Sequence, residues 1–279
     1  LLSLFLIASV QGNVRSTSSS KINSMVREEK DKVRLVFSDL DGTLIHYPKK
    51  TPSIKHAADL LMIPTSSTGM RGIISQRTLV LTQEIRQKKT KFILVSGMRS
   101  TTLFNRLPFL PRADAYCAEG GGRIFYPVDT DDTEDGFIIK PMKYEGAKEA
   151  GVRPFRLVED LEWRKMMESY AGKFVIDIPG SEQAVEPINV RDGELWKYAR
   201  FLIEKGYVID TKGYSSCFRV NKKQQNSLTE EDFLALLDGR VPIFDDLAKS
   251  VNLSCIDVYP SISGKKNWYV TVQQEFWII

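Results

Sequence analysis

A chain of 279 residues with 42% hydrophobic and 27% charged side chains can bury one large core or two medium ones. A formal charge of +4, with no basic cluster interleaved with aromatics, gives no footing for nucleic acid, and a small anionic ligand suits the balance equally well. The three cysteines, Cys117, Cys217 and Cys255, are odd in number and show no C-x-x-C spacing, so they read as small buried apolar residues of a reducing compartment.

The opening "LLSLFLIASV" is apolar but too short to cross a bilayer, and "QGNVRSTSSSKINSMVR" after it is Ser-rich and free of acids until Glu28. Residues 1–30 therefore read as a targeting or disordered segment, and no membrane span is expected. The expected compartment is cytoplasm or plastid, with a secretory signal less favoured. Two aliphatic runs follow, "VRLVFS" at 33–38 and "KFILVS" at 91–96, without the alternation of half-exposed strands; both are expected to be covered on two faces. Between them "ISQRTLVLTQEIRQKK" predicts a helix capped by Ser75, with Leu81 and Ile85 facing inward. The order β, α, β predicts a parallel pair, and the Pro- and Ser-rich insert from His46 to Gly72 predicts a flap near the tip of the first strand.

After Pro127 the composition changes. "VDTDDTEDG" reads as a solvated hairpin or linker and lacks calcium-loop spacing. Beyond it come a helix in "EDLEWRKMMESYAG", a strand "KFVIDI", and a helix "GELWKYARFLIEKG" with Leu195, Ala199, Leu202 and Ile203 on one face. Strands "YVID" and "YSSCFRV" and a helix opened by a Ser227–Glu230 capping box complete an α+β unit. The expected organisation is a core at 31–127, an inserted unit at 128–253, and a return to the core at 254–279.

The chemistry concentrates at "SDLDGTL". Asp39 and Asp41, two residues apart at the end of a buried parallel strand, point to one side, where open α/β sheets place ligands. Magnesium would relieve their repulsion, since it takes oxygen ligands, keeps several waters and bridges carboxylates to phosphate. The first carboxylate is then a nucleophile able to form an aspartyl-phosphate and the second shuttles a proton. Gly42 allows a tight turn, and Thr43 adds a hydroxyl and an N–H.

The stretch "DLDGTL" after an apolar strand resembles the first motif of the haloacid dehalogenase (HAD) superfamily, whose D-x-D-G-T members are mostly magnesium-dependent phosphatases. The resemblance implies a Rossmann-like α/β core with a parallel sheet and makes 128–253 a C2-type cap that closes over the site. Ser96, ending the second strand, falls where the family holds phosphate, and Gly97 opens the strand-to-helix passage "GMRSTTLFNRL" that would favour an anion. "DVYPSISGKKNW" resembles the third motif of the Cof-type and sucrose-phosphate phosphatase-like subgroup, which makes Lys265 the lysine facing Asp39 and the phosphoryl group. "CAEGGGRIFYP" is similar to that subgroup's "NGG" hairpin without its Asn. The implied function is magnesium-dependent hydrolysis of a small phosphate monoester, most simply a sugar phosphate.

The family's fourth, acidic motif is missing before the chain ends, and with it the strand that would flank "VRLVFS". A truncated reading is expected, or "YVTVQQ" patching that edge. The alternative function is a catalytically impaired relative that only binds a phosphorylated ligand or a partner.

Overall fold

The computed structural model describes residues 6–9, 34–48, 58–65, 69–148, 152–174, 187–222, 229–252 and 255–264. Its larger sheet has seven strands: β1 (Leu6–Ser9), β2 (Arg34–Asp39), β5 (Thr90–Val95), β6 (Ala115–Ala118), β7 (Arg123–Asp129), β9 (Phe155–Glu159) and β8 (Phe137–Ile139), in that spatial order. The centre is parallel, β2 with β5 and β5 with β6, as the β, α, β reading expects, and the remaining pairings are antiparallel. The fold class is α/β.

Strand periodicity explains why these segments read as unbroken apolar runs. Leu35, Phe37, Ile93, Val95, Ala115 and Cys117 enter one hydrophobic cluster. Val36, Phe92, Leu94, Tyr116 and Ala118 enter another on the opposite face. The second face is covered by α1 (Gln76–Gln87) and α2 (Ser100–Arg106), through Leu79, Leu103 and Phe104. Ser75 caps α1 as expected, its hydroxyl accepting the Thr78 N–H at 3.0 Å. The inward stripe is shifted from the expected one: Leu79 is buried and Leu81 is 44% exposed, while Ile85 packs at the cluster's margin. The helix turns Thr82 inward instead, its hydroxyl satisfied by the carbonyls of Thr78 and Leu79.

The flap predicted between His46 and Gly72 contains a two-stranded antiparallel ribbon, β3 (Leu60–Ile63) with β4 (Gly72–Ser75). A pair of main-chain hydrogen bonds of 2.9 Å between His46 and Ile73 ties it to the chain leaving β2.

The smaller sheet has four strands in the order β10 (Ile209–Asp210), β11 (Phe218–Asn221), β13 (Cys255–Pro260), β12 (Leu247–Asn252), all antiparallel. Strand membership cuts across the boundaries expected at 127/128 and 253/254. β8 and β9 belong to the larger sheet, and β13 sits inside the smaller one. The two sheets also share a hydrophobic cluster, bridged by α3 (Leu161–Ala171), which touches both β7 and β13. Trp163 and Met167 of α3 and Trp196 and Leu202 of α4 (Glu194–Glu204) lie in that cluster with Phe218, Val220, Ile256 and Val258. The segment expected as an inserted cap thus supplies the layer that buries the first face of the larger sheet. On α4, Leu195, Ala199 and Leu202 face inward as expected, but Ile203 is 44% exposed and Trp196 and Tyr198 take the inner face. The last helix, α5 (Glu230–Asp238), is capped by Thr229 and Asp232, which form the reciprocal box expected from Ser227 and Glu230. Ser227, the strand "KFVIDI" beyond Phe174, "YVTVQQ" and Lys265 lie outside the described residues. Among the described residues no helix is long and apolar enough to cross a membrane.

Candidate active site

β2 ends at Asp39, and the chain turns sharply. The carbonyl of Leu40 accepts N–H groups from Thr43, Leu44 and Ile45 at 3.3, 3.0 and 2.8 Å. Gly42 makes the turn at φ 79°, a left-handed value costly for any side chain although the space beside it is open. Asp39 Oδ1 accepts the N–H of Leu40 at 2.9 Å, fixing the carboxylate at the strand tip. Val95, the residue before Ser96, pairs in register with Asp39. The two strands therefore deliver their polar ends side by side.

Ser96 and Asp41 meet directly. Ser96 is fully buried; its Oγ accepts the Met98 N–H at 3.1 Å and its hydroxyl donates to Asp41 Oδ2 at 3.2 Å. A hydroxyl has one proton, so a phosphate-holding role for Ser96 requires it to turn away from Asp41. The loop is braced by Ser96 N–H on Cys117 O at 2.9 Å and Gly120 N–H on Ser96 O at 3.0 Å. Gly97 is half-buried inside it, and Thr43 is half-buried in the Asp39–Ile45 turn. Gly264, the residue before Lys265, lies against the ring of Tyr259, which itself lies beside Gly120.

The sequence gives no hint of the groups on the other oxygen of Asp41. Tyr47, in the flap, donates its hydroxyl to Oδ1 in a short hydrogen bond. Arg106, the last residue of α2 and only 1% exposed, places Nη1 at 2.8 Å from the Tyr47 oxygen and 3.5 Å from Oδ1. Its Nε donates to Pro64 O at 3.3 Å, so one guanidinium joins α2, the flap and the acid. Burial and the neighbouring Asp41 push the Tyr47 phenol well above its ordinary value, which keeps it a neutral donor. No motif marks either residue. A lone arginine closing a short helix reads as dipole complement, and a tyrosine before proline reads as a loop anchor.

The carboxylates of Asp39 and Asp41 are oxygen donors, the type magnesium takes, and among the described residues no group of three or more His, Cys, Asp or Glu gathers that could hold a metal ion. Of the two, Asp39 is the residue that would hold a magnesium ion, with water supplying its other ligands. The carboxylate of Asp41, expected as a second direct ligand, has both oxygens engaged by Ser96, Tyr47 and Arg106, and the guanidinium already supplies positive charge there.

A fully buried carboxylate lies one loop away. Glu119, at the end of β6, is fully buried, with Oε1 accepting the Ser100 hydroxyl at 2.7 Å. Its Oε2 accepts the N–H groups of Ser215 and Ser216 and the Ser216 hydroxyl at 2.9, 2.8 and 2.8 Å. Beside it Arg99 pairs with Asp210 and lies 4.7 Å from the centroid of Tyr214. The loop after Ser96 is thus locked to the smaller sheet.

No protein-family model and no curated protein matches this chain. Solved structures align with it at low similarity, among them three phosphatase-type chains. The sucrose-phosphatase of Synechocystis, solved with sucrose and phosphate, aligns at TM-score 0.42 and 12% identity over 72% of this chain and 63% of its own. A trehalose-6-phosphate phosphatase related protein aligns at 0.39 and 11% over 86% of this chain and 74% of its own. The trehalose-6-phosphate phosphatase of Aspergillus fumigatus aligns at 0.34 and 16% over 87% of this chain and 65% of its own. The chain therefore spans less than two thirds of the length of two of these three structures.

Proposed function

We propose that this chain is a magnesium-dependent phosphatase acting on small phosphate monoesters, with sugar phosphates as the substrate class. The observation that carries the reading is the meeting of Asp41 with Ser96 at the ends of two adjacent parallel strands, the first of which closes on Asp39. The sugar-phosphate class rests on the resemblance of "DVYPSISGKKNW" to the third motif of the sucrose-phosphate phosphatase-like subgroup.

In the proposed reaction a carboxylate oxygen of Asp39 attacks phosphorus. The ester P–O bond breaks, its electron pair goes to the departing alcohol oxygen, and Asp41 protonates that oxygen. Water then attacks the aspartyl-phosphate, giving its proton to Asp41, and the bond between Asp39 and phosphorus breaks to release inorganic phosphate and restore the carboxylate. Asp39 would hold magnesium, which would supply positive charge to offset the phosphoryl oxygens. Ser96, Gly97, Thr43 and Lys265 serve the phosphoryl oxygens, Ser96 by turning its hydroxyl from Asp41 to the substrate.

Phosphate release from p-nitrophenyl phosphate and a sugar-phosphate panel, with magnesium and with chelator, tests the reading. The unmodified chain is expected to turn over only with magnesium, and Asp39→Asn to lose at least about a thousandfold in kcat. Equal turnover by Asp39→Asn removes the nucleophile. Calorimetric binding of a phosphate ester without turnover by the unmodified chain replaces the enzyme with a binding protein.

A further inference from the structure

Arg106 and Tyr47 have no step in that reaction, yet they hold one oxygen of its acid. A guanidinium nitrogen can only donate, so the Tyr47 oxygen accepts from Arg106 Nη1, and the phenol proton is thereby aimed at Asp41 Oδ1. Arg106 Nη1 also faces Oδ1 itself at 3.5 Å. A proton carried on Oδ1 would meet two donors, whereas Oδ2 meets a serine hydroxyl that can rotate.

We propose that Tyr47 and Arg106 are a positioning pair that commits Oδ1 of Asp41 to the protein and leaves Oδ2 as the oxygen that exchanges a proton with the leaving group and with water. The proposal rests on the phosphatase reading. The Ser96 hydroxyl, the rotatable donor on Oδ2, is the group that can turn from Asp41 to a phosphoryl oxygen.

Arg106 is closed off from water, and its Nη2 finds no acceptor among the described residues, a cost that a purely structural arginine would avoid by pairing its whole fork. The guanidinium also sits 5.8 Å from the centroid of the Tyr47 ring, so the two side chains hold each other as well as the acid. Because Arg106 donates to Pro64 and Tyr47 also comes from the flap, the aim of Asp41 depends on the flap being docked.

A leaving-group comparison tests this. Tyr47→Phe removes one hydroxyl and little volume. With an alkyl phosphate, whose departing alkoxide needs a proton, its kcat is expected to fall about tenfold or more while KM stays within about twofold. With p-nitrophenyl phosphate, whose phenolate leaves unaided, the loss is expected to be under about threefold. Arg106→Lys is expected to retain more alkyl-phosphate turnover than Arg106→Leu, and calorimetry of inorganic phosphate with magnesium is expected to give the same affinity for Tyr47→Phe as for the unmodified chain. Equal losses on both ester types, a loss confined to KM, or weakened phosphate binding by Tyr47→Phe overturns the positioning role while leaving the phosphatase reading intact. An unmodified chain that releases phosphate from no ester removes both.

Discussion

Glu119 carries more of the molecule's coherence than its place in a glycine-rich stretch suggests. Its backbone is held at φ 54°, a left-handed value that costs a residue with a Cβ about 1 kcal/mol or more. What the strain secures is a fully buried carboxylate receiving two N–H groups and two hydroxyls, three of them from the smaller sheet's Ser215–Ser216 loop. Replacing it with alanine relieves nothing and leaves those donors facing a hole. Glu119→Ala is expected to lower the unfolding free energy by about 3 kcal/mol, read as a shift of the urea midpoint. A midpoint unmoved within about 0.5 kcal/mol would mean that water replaces the carboxylate at no cost. The sequence resemblance expects asparagine before the paired glycines; the carboxylate present here accepts from both sides at once, the Ser100 hydroxyl on one oxygen and the Ser215–Ser216 donors on the other.

At the level of the element, legibility followed the range of the forces involved. β2, α1 and β5 could be read because their apolar runs and the Ser75 cap are local signals, and the same holds for α3 and α4. The inward stripe of α1 was misplaced because Leu79 and Leu81 are equally apolar, and only the neighbouring sheet decides between them. The cap of α5 shows the same limit. Both Ser227 and Thr229 precede acids at the right spacing, and the Thr229 hydroxyl is the one that accepts the Asp232 N–H, at 3.2 Å, while Asp232 accepts the Thr229 N–H at 2.8 Å. Thr229→Ala is expected to cost about 1 kcal/mol, measured by thermal or urea unfolding. In the candidate site, the spacing of Asp39 and Asp41 at a strand end singles out that pair and the family resemblance singles out Ser96; the structure adds the hydrogen bond between Ser96 and Asp41. Tyr47 and Arg106 were not legible, since their meeting depends on how the flap and α2 pack rather than on any pattern in the chain. The partnership of β13 with β11 was equally hidden: "CIDVYP" fits either sheet, and long-range packing chooses.

Across the whole molecule, burial of ionisable groups sets a limit on the alkaline side. Burial pushes Tyr116 up to about 12, and burial followed by the nearby Tyr207 does the same to Tyr198. Cys117 and Cys217 are raised chiefly by burial as well, Cys217 with Glu119 and Asp257 adding to the effect. Each of these groups ionises more readily in the unfolded chain, where thiols titrate near about 8.5 and phenols near about 10. Their contribution is therefore complete below about pH 8.5 and is withdrawn as pH climbs toward the raised folded values, the thiols first and the phenols above about pH 10. The urea midpoint is expected to hold between about pH 7 and 8 and to fall steadily above about pH 8.5; a midpoint flat to pH 11 would contradict the burial. The outermost rung of the larger sheet has a consequence of another kind. Main-chain groups of Arg34–Asp39 bond to β5 on one flank and to Leu6–Ser9 on the other. Without Leu6–Ser9 the strand bearing Asp39 would have a bare flank, its N–H and C=O groups shaped to accept another extended peptide.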